Sequence, residues 1–304
     1  MTAITNHSPR NIIVVNEDTQ YKKPRKRDYI KSYFAGGVTQ GAAQAAISLP
    51  SIYIMDRMTK VAKGADGAIM KDALNQALDI SGMTKKGVKL VDYAGKKTTK
   101  PLFENFLPKK WPEKFKEFIR LNMDPKYATS KGKNAFFVAE NPLMHNQIHI
   151  NTKKLGVAGF HEIGHAINYN TSKFLRGIQK ARMPLMAAAA LLPLIAICKR
   201  PKAEGEQPKG FFDKATTFIK NNVGKLSFAA MLPIVAEEAI ATMRGNKLAK
   251  QLLSPENFKK VAKCNMYGGA TYVLSAVAMG VGAWAANKVA DKFLAPKKME
   301  YTVA

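Results

Sequence analysis

The sequence predicts a mainly α-helical membrane protein with a small β-sheet set just ahead of one chemically distinctive helix. Three observations predict it. Residues 33–55, 183–198, 226–243 and 266–287 form four apolar stretches. Residues 135–139 and 147–150 are short runs rich in β-branched and aromatic side chains, as strands are. Directly after them, His161-Glu162-Ile163-Gly164-His165 repeats a histidine at helical spacing, between the small and apolar residues Leu155 to Phe160 and Ala166-Ile167.

The elements follow in order. Residues 1–30 are polar and carry the basic run Lys22-Lys23-Pro24-Arg25-Lys26-Arg27, expected to form a flexible tail that either touches anionic lipid or merely solvates the terminus. No cleavable apolar core follows directly, so no secretory signal is expected. Tyr33 to Met55 is uncharged and rich in Gly and Ala, and reads as a first membrane helix although it holds Gln40 and Gln44. Asp66 to Ile80 places Ile69, Ala73, Leu74, Ala77 and Leu78 on one helical face; Gly82 breaks it, and Val88 to Val91 reads as a strand. Residues 96–133 are rich in Lys and Pro, with one helix expected from Pro112 to Leu121. The two strands before the histidine motif are joined through Asn141-Pro142.

A spanning helix needs about 20 apolar residues. The stretches 33–55 and 266–287 meet that requirement. Met183 to Cys198 is intensely apolar but short, and Pro184 and Pro193 interrupt it; Leu226 to Met243 is compromised by Glu237 and Glu238. In the last stretch Ala278, Gly282 and Ala286 form a small-residue stripe suited to close helix packing. The chain accordingly divides into a basic tail (1–30), a first membrane helix with a Lys-rich α/β region (31–133), a core with the motif and the remaining membrane helices (134–295), and a C-terminal tail (296–304). A multi-pass protein of an inner or plasma membrane is expected. Lys and Arg flank every apolar segment, so no orientation follows from charge.

The formal net charge of +26 implies attraction to anionic partners, with lipid headgroups favoured. Nucleic acid is the weaker reading, since no zinc-finger spacing, RNP-like strand or basic heptad helix is present. Cys198 and Cys264 lie far apart at the ends of apolar stretches and read as buried free thiols in a reducing compartment.

The motif carries the chemistry. Residues four apart on a helix share a face, so His161 and His165 can offer two imidazoles to one ion, while Glu162 can reach a water beside it. Gly159 and Gly164 are poor helix formers and imply close approach of another element. His145 and His149 are also four apart, but in a strand they would stand about 13 Å apart, too far to share an ion. A catalytic site wants a third protein ligand. Glu237-Glu238, on an otherwise apolar helix, is the obvious place: one acid can ligate while the other pairs with a base.

These residues resemble the bacterial membrane-bound neutral zinc metallopeptidases, which are gluzincins. The resemblance lies in Phe160-His-Glu-Ile-Gly-His-Ala-Ile167, in Leu232-Pro233 with Glu238-Ala-Ile-Ala-Thr242, and in Ala270-Thr-Tyr-Val273, and covers roughly residues 134–287. Pro233 stands further from Glu238 than the family pattern has it, and Thr242 stands where related Glu-x-x-Ala membrane proteases have Asp. The resemblance implies a zincin-like fold, with a small sheet before the active-site helix, and a Zn2+ cofactor held by His161, His165 and Glu238, the Glu-x-x-Ala register selecting Glu238 over Glu237. It also implies hydrolysis of a protein or peptide substrate with Glu162 as general base. Tyr169, Tyr272, His149 and Arg244 are candidates for contact with the oxyanion or substrate. Residues 96–133 then look like an insertion. The rival expectations are a non-catalytic membrane protein with a structural or vestigial metal site, and a basic lipid- or nucleic-acid-binding protein.

Overall fold

The computed structural model describes residues 21–102, 104–139 and 146–298. In chain order the elements are β1 (Tyr21–Lys22), α1 (Lys26–Lys63), α2 (Gly67–Ile80), β2 (Lys89–Asp92), α3 (Glu113–Met123), α4 (Pro125–Ser130), β3 (Phe136–Val138), β4 (Gln147–Ile150), α5 (Thr152–Leu155), α6 (Gly159–Thr171), α7 (Lys173–Cys198), α8 (Gly210–Leu252), α9 (Pro255–Leu294) and β5 (Lys297–Lys298). The protein is mainly helical, with a three-stranded sheet.

Local chemistry sets several boundaries. Asp66 caps α2, its Oδ1 accepting from Ala68 N (2.7 Å) and Ile69 N (3.3 Å). Gly82, at φ 72°, turns the chain after it. Ser172 caps α7 through Leu175 N (3.2 Å), and Ser254 caps α9 through Asn257 N (3.4 Å). The expected helix at 112–121 appears as α3, and the expected strands as β2, β3 and β4. The Asn141-Pro142 connection and His145 lie outside the described residues.

In the sheet β4 is central. It runs parallel to β2, with Val91 opposite His149, and antiparallel to β3, with Phe136 opposite His149. Asp92 ties β2 to the chain after β4, accepting from Thr152 N (3.1 Å) and Thr152 Oγ1 (2.8 Å). One face of the sheet, α2 and α6 share a core of Met70, Leu74, Ile148, Ile150, Phe160 and Ile163, all fully buried. Of the stripe expected on α2, Ala73, Leu74, Ala77 and Leu78 are buried, but Ile69 is exposed and its neighbour Met70 enters the core instead.

Four long helices pack side by side, α1 along α9, α9 along α8 and α8 along α7. Three of them, α7, α8 and α9, are long and apolar enough to cross a membrane. This alters the expected set. Met183 to Cys198 belongs to a continuous helix begun at Lys173, and Pro184 and Pro193 sit inside it without ending it. Glu237 and Glu238 lie inside α8. The first stretch is helical over its whole length but is not among the three, since Thr39, Gln40, Gln44 and the serines dilute its apolar content. Gln44 Nε2 instead meets Met279 Sδ at 3.2 Å. A Cβ on Gly282 would stand 3.3 Å from Gln40 O, so α1 packs closely against the small-residue stripe of α9 there.

Among the exposed apolar side chains are Phe34 and Val38 on α1, Leu191 on α7, Leu232 on α8 and Val281 and Trp284 on α9. Exposed side chains of this kind are expected where helices face hydrocarbon. Between helices, buried Lys220 meets Asp291 Oδ1 (2.6 Å), Asn287 Oδ1 (2.9 Å) and Ala196 O (3.0 Å). The basic run near residue 22 is not a free tail. Tyr21-Lys22 pairs with Lys297-Lys298, and Arg25 caps α1, its N–H donating to Asp28 Oδ2 at 2.8 Å. Of the two free cysteines Cys264 is buried, whereas Cys198 is exposed at the end of α7.

Candidate metal centre

The centre forms where α6 crosses α8. A Cβ on Gly164 would lie 2.0 Å from Ala241 O, and one on Gly245 would lie 2.3 Å from Phe160 O. Only glycine at these two positions lets the backbones meet, and their contact brings residues 237–242 over the motif face of α6. Gly159 has a different neighbour, since its Cβ would strike Leu74 and Ile150 in the core beneath the sheet.

His161, His165 and Glu238 converge. Their ligand atoms all lie within 4.8 Å of one another, and the group could hold a metal ion. His161 Nε2 stands 3.0 Å from His165 Nε2 and 3.0 Å from Glu238 Oε2, and His165 Nε2 stands 3.2 Å from the same oxygen. Ligands about 2.0–2.1 Å from a tetrahedral ion lie about 3.3 Å apart, so this triangle fits one ion with little adjustment.

The partners of the other ring nitrogens favour the same occupant. His165 Nδ1 is 2.9 Å from Glu237 Oε1. A carboxylate only accepts, so Nδ1 donates its proton to Glu237, and Nε2 is the nitrogen left for an ion, which would displace any proton held there. His161 Nδ1 is 3.1 Å from Thr242 Oγ1, which can act in the same way. Glu237 is held in turn by Gln179 Nε2 (2.6 Å) and Asn168 Nδ2 (2.8 Å). Arg182 of α7 donates to Glu238 Oε1 and to Glu237 Oε2 (3.3 Å), leaving Glu238 Oε2 free to face the histidines. Burial lowers the pKa of His165, but Glu238 and Glu237 outweigh it and hold the ring up at about 10. The site is rich in negative charge and suits a cation.

Glu162 stands beside the triangle without joining it. It is buried, and burial pushes its carboxyl above the ordinary range against the opposing pull of His165 and His161. It lines two cavities. The larger, about 640 Å³, is bounded by residues 134–139, by His165 and Tyr169 of α6, by Gln179 and Arg182 of α7, and by Tyr272 of α9. The smaller, about 160 Å³, reaches His161, Asn265 and Tyr272.

Of the four residues expected to contact an oxyanion or substrate, Tyr169 and Tyr272 line the larger cavity, and the Arg182 guanidinium lies 5.8 Å from the Tyr272 ring centre. The other two line neither cavity. His149 is in the central strand, where its ring stacks on Phe136 (4.7 Å between centroids) and its Nδ1 meets Tyr93 OH at 3.0 Å. Arg244 bonds Thr171 Oγ1 (3.2 Å) at the far end of α6. Arg182 and Gln179 carry no spacing signal in the sequence and matter only because α7 folds back over α6. Asn168 shares the face of His161 and His165 on α6 and reaches Glu237 of α8 directly.

Two expectations follow. Glu237→Ala should weaken metal binding about 10- to 100-fold by freeing the His165 ring, while Glu237→Gln, which keeps an acceptor, should recover most of it; chelator competition measures both. The second concerns His149, whose pKa burial, with the nearby Lys126 charge, pushes down to about 4. An unfolded histidine takes up its proton near pH 6.5, so this residue should cost the fold stability as pH drops from about 6.5 to 4, up to about 3 kcal/mol. Melting of the wild type and His149→Gln across that window should diverge accordingly; parallel curves would refute it.

Comparison with known proteins finds no matching family model, no similar curated protein and no similar solved structure.

Proposed function

We propose that the chain is a multi-pass membrane zinc endopeptidase of zincin-like, gluzincin type, with His161, His165 and Glu238 as ligands and Glu162 as general base. The observation that carries this reading is a largely buried His-His-Glu triangle with a non-ligating carboxylate beside it, reached by two cavities, the larger at His165 and the smaller at His161. A zinc ion bound there supplies Lewis acidity and lowers the pKa of water toward about 7.

The residues of the chain do the rest. Glu162, with its raised pKa, is suited to take a proton from the attacking water and to pass it to the departing amine. Glu237 and Thr242 hold the ligand rings in orientation. Tyr272, set between both cavities, is the phenol best placed to donate to the developing oxyanion, with Tyr169 further along the cleft. Strand order β2-β4-β3 makes β3 an edge strand, and residues 136–138 line the cleft. Among the described residues no strand pairs with its outer edge. An extended peptide can add there through main-chain hydrogen bonds, which select for backbone rather than for one side chain.

Arg182 favours a second reading, because its pairing with Glu238 is also what a structural, non-catalytic ion network would contain. Metal analysis of the purified full chain with casein hydrolysis alongside separates the two. The endopeptidase should hold about one zinc per chain, lose it in His165→Ala and Glu238→Ala, and cleave casein only as wild type. Wild type that takes up no zinc would end the proposal; zinc without hydrolysis would favour the structural reading.

A further inference from the structure

The Lys-rich segment 96–133 plays no part in the metal chemistry, yet its surface is unusual. It holds ten lysines against four acids. All four acids are engaged within the segment. Arg120, itself buried, donates to Glu104 through Nε (2.8 Å) and Nη2 (2.6 Å), pairs with Glu113, and stands 3.5 Å from Glu117. Glu117 also accepts from Tyr127 OH (2.8 Å), and Asp124 caps α4 and accepts from Leu102 N (3.0 Å).

This internal pairing gives α3 two unlike faces. Glu113, Glu117 and Arg120 recur at helical spacing on one side. On the opposite side stand Phe115 and Phe118, with Trp111 one turn ahead of Phe115 and its ring 5.1 Å away. Trp111 is 41% exposed, Phe115 47%, Phe118 55% and Phe106, in the turn before α3, 81%. Exposure of so many aromatic side chains in one short segment is costly unless something apolar covers them. Lys109, Lys110 and Lys114 border this face, and among the described residues none has an acidic partner.

We propose that this face is an interfacial anchor that rests on an anionic phospholipid surface. Trp111, Phe115 and Phe118 would enter the boundary between headgroups and acyl chains, while Lys109, Lys110 and Lys114 meet the phosphates. A bilayer is the occupant that fits: the same chain has three helices fit to cross one, and an aromatic face rimmed by lysines matches its two layers. Residues 124–130 link α3 to the cleft through Pro125, so the anchor would also hold the cleft close to the membrane surface. The inference stands apart from the metal centre and does not depend on catalysis.

The chain has two tryptophans, so Trp284→Phe leaves Trp111 as the sole reporter. The full-length variant is reconstituted into vesicles of phosphatidylcholine, with and without phosphatidylglycerol, carrying brominated acyl chains. With phosphatidylglycerol, Trp111 emission should shift to the blue and lose about half its intensity to the bromines. Lys109→Gln, Lys110→Gln and Lys114→Gln together, or high salt, should return it toward the neutral-vesicle level. Should Trp284→Phe fail to insert, the difference between wild type and Trp111→Phe reads the same signal. Emission that stays open to aqueous acrylamide and unquenched by bromolipid, or quenching that is equal in neutral vesicles, overturns the proposal. Metal content measured on the same samples keeps this outcome separate from that of the metal centre.

Discussion

Glu162→Gln should lower peptide hydrolysis about a hundred- to ten-thousandfold while leaving metal content unchanged. The substitution keeps shape and volume in a buried position between the two cavities, and removes only the ability to take up a proton. Glu162 is not one of the three converging ligands, so the ion has no reason to leave. The measurement is casein turnover on protein whose metal has been quantified in the same sample. Turnover near the wild-type rate would remove Glu162 from the mechanism, and metal loss would mean that it ligates.

Gly164→Ala should be more damaging than its size suggests, and Gly245→Ala likewise. The new methyl group would meet a main-chain oxygen at 2.0 Å in one case and 2.3 Å in the other, and backbone cannot rotate aside as a side chain can. Overpacking of this kind costs about 1–3 kcal/mol or more. The larger effect is on the centre, because α6 carries both histidines and α8 carries Glu238. A separation of about 1 Å would open contacts that now stand at 3.0 and 3.2 Å. Chelator competition should then show metal affinity reduced at least about tenfold, with a lowered melting temperature. Gly177→Ala on α7 is the control: a Cβ there meets nothing within 4 Å, and helix propensity should make the change neutral or slightly stabilising. Unaltered metal affinity in Gly164→Ala would mean that the helices do not meet as described.

Short-range patterns were legible wherever one element decides the outcome. The face shared by His161 and His165, the buried stripe of α2 and the strands at 136–138 and 147–150 all follow from periodicity within a few residues. The close approach implied by Gly159 and Gly164 was legible too, although the neighbours were not. Helix ends and membrane stretches were less so. Counting apolar residues undervalued α7 and α8, where charged or proline-bearing turns continue into the same helix, and overvalued 33–55, whose glutamines face α9. The basic run near residue 22 looked free because its partner strand lies at the other end of the chain. His149 and Arg244 looked available because their types suit the chemistry, but strand pairing and helix rotation turn them elsewhere.

The sequence by itself determined which residues could carry metal chemistry: two histidines on one helical face, a carboxylate between them, and a pair of acids on a distant apolar helix. The Glu-x-x-Ala resemblance pointed to Glu238 as the inward acid, but only the tertiary structure decided what each of the two meets. Adjacent residues on a helix point about 100° apart, and the crossing at Gly164 and Gly245 turns Glu238 toward both Nε2 atoms and Glu237 toward His165 Nδ1. The same crossing, with α7 folded over it, recruits Arg182, Gln179 and Thr242. Local spacing encodes which side chains share a face, whereas convergence across some seventy residues depends on how closely two backbones can pack.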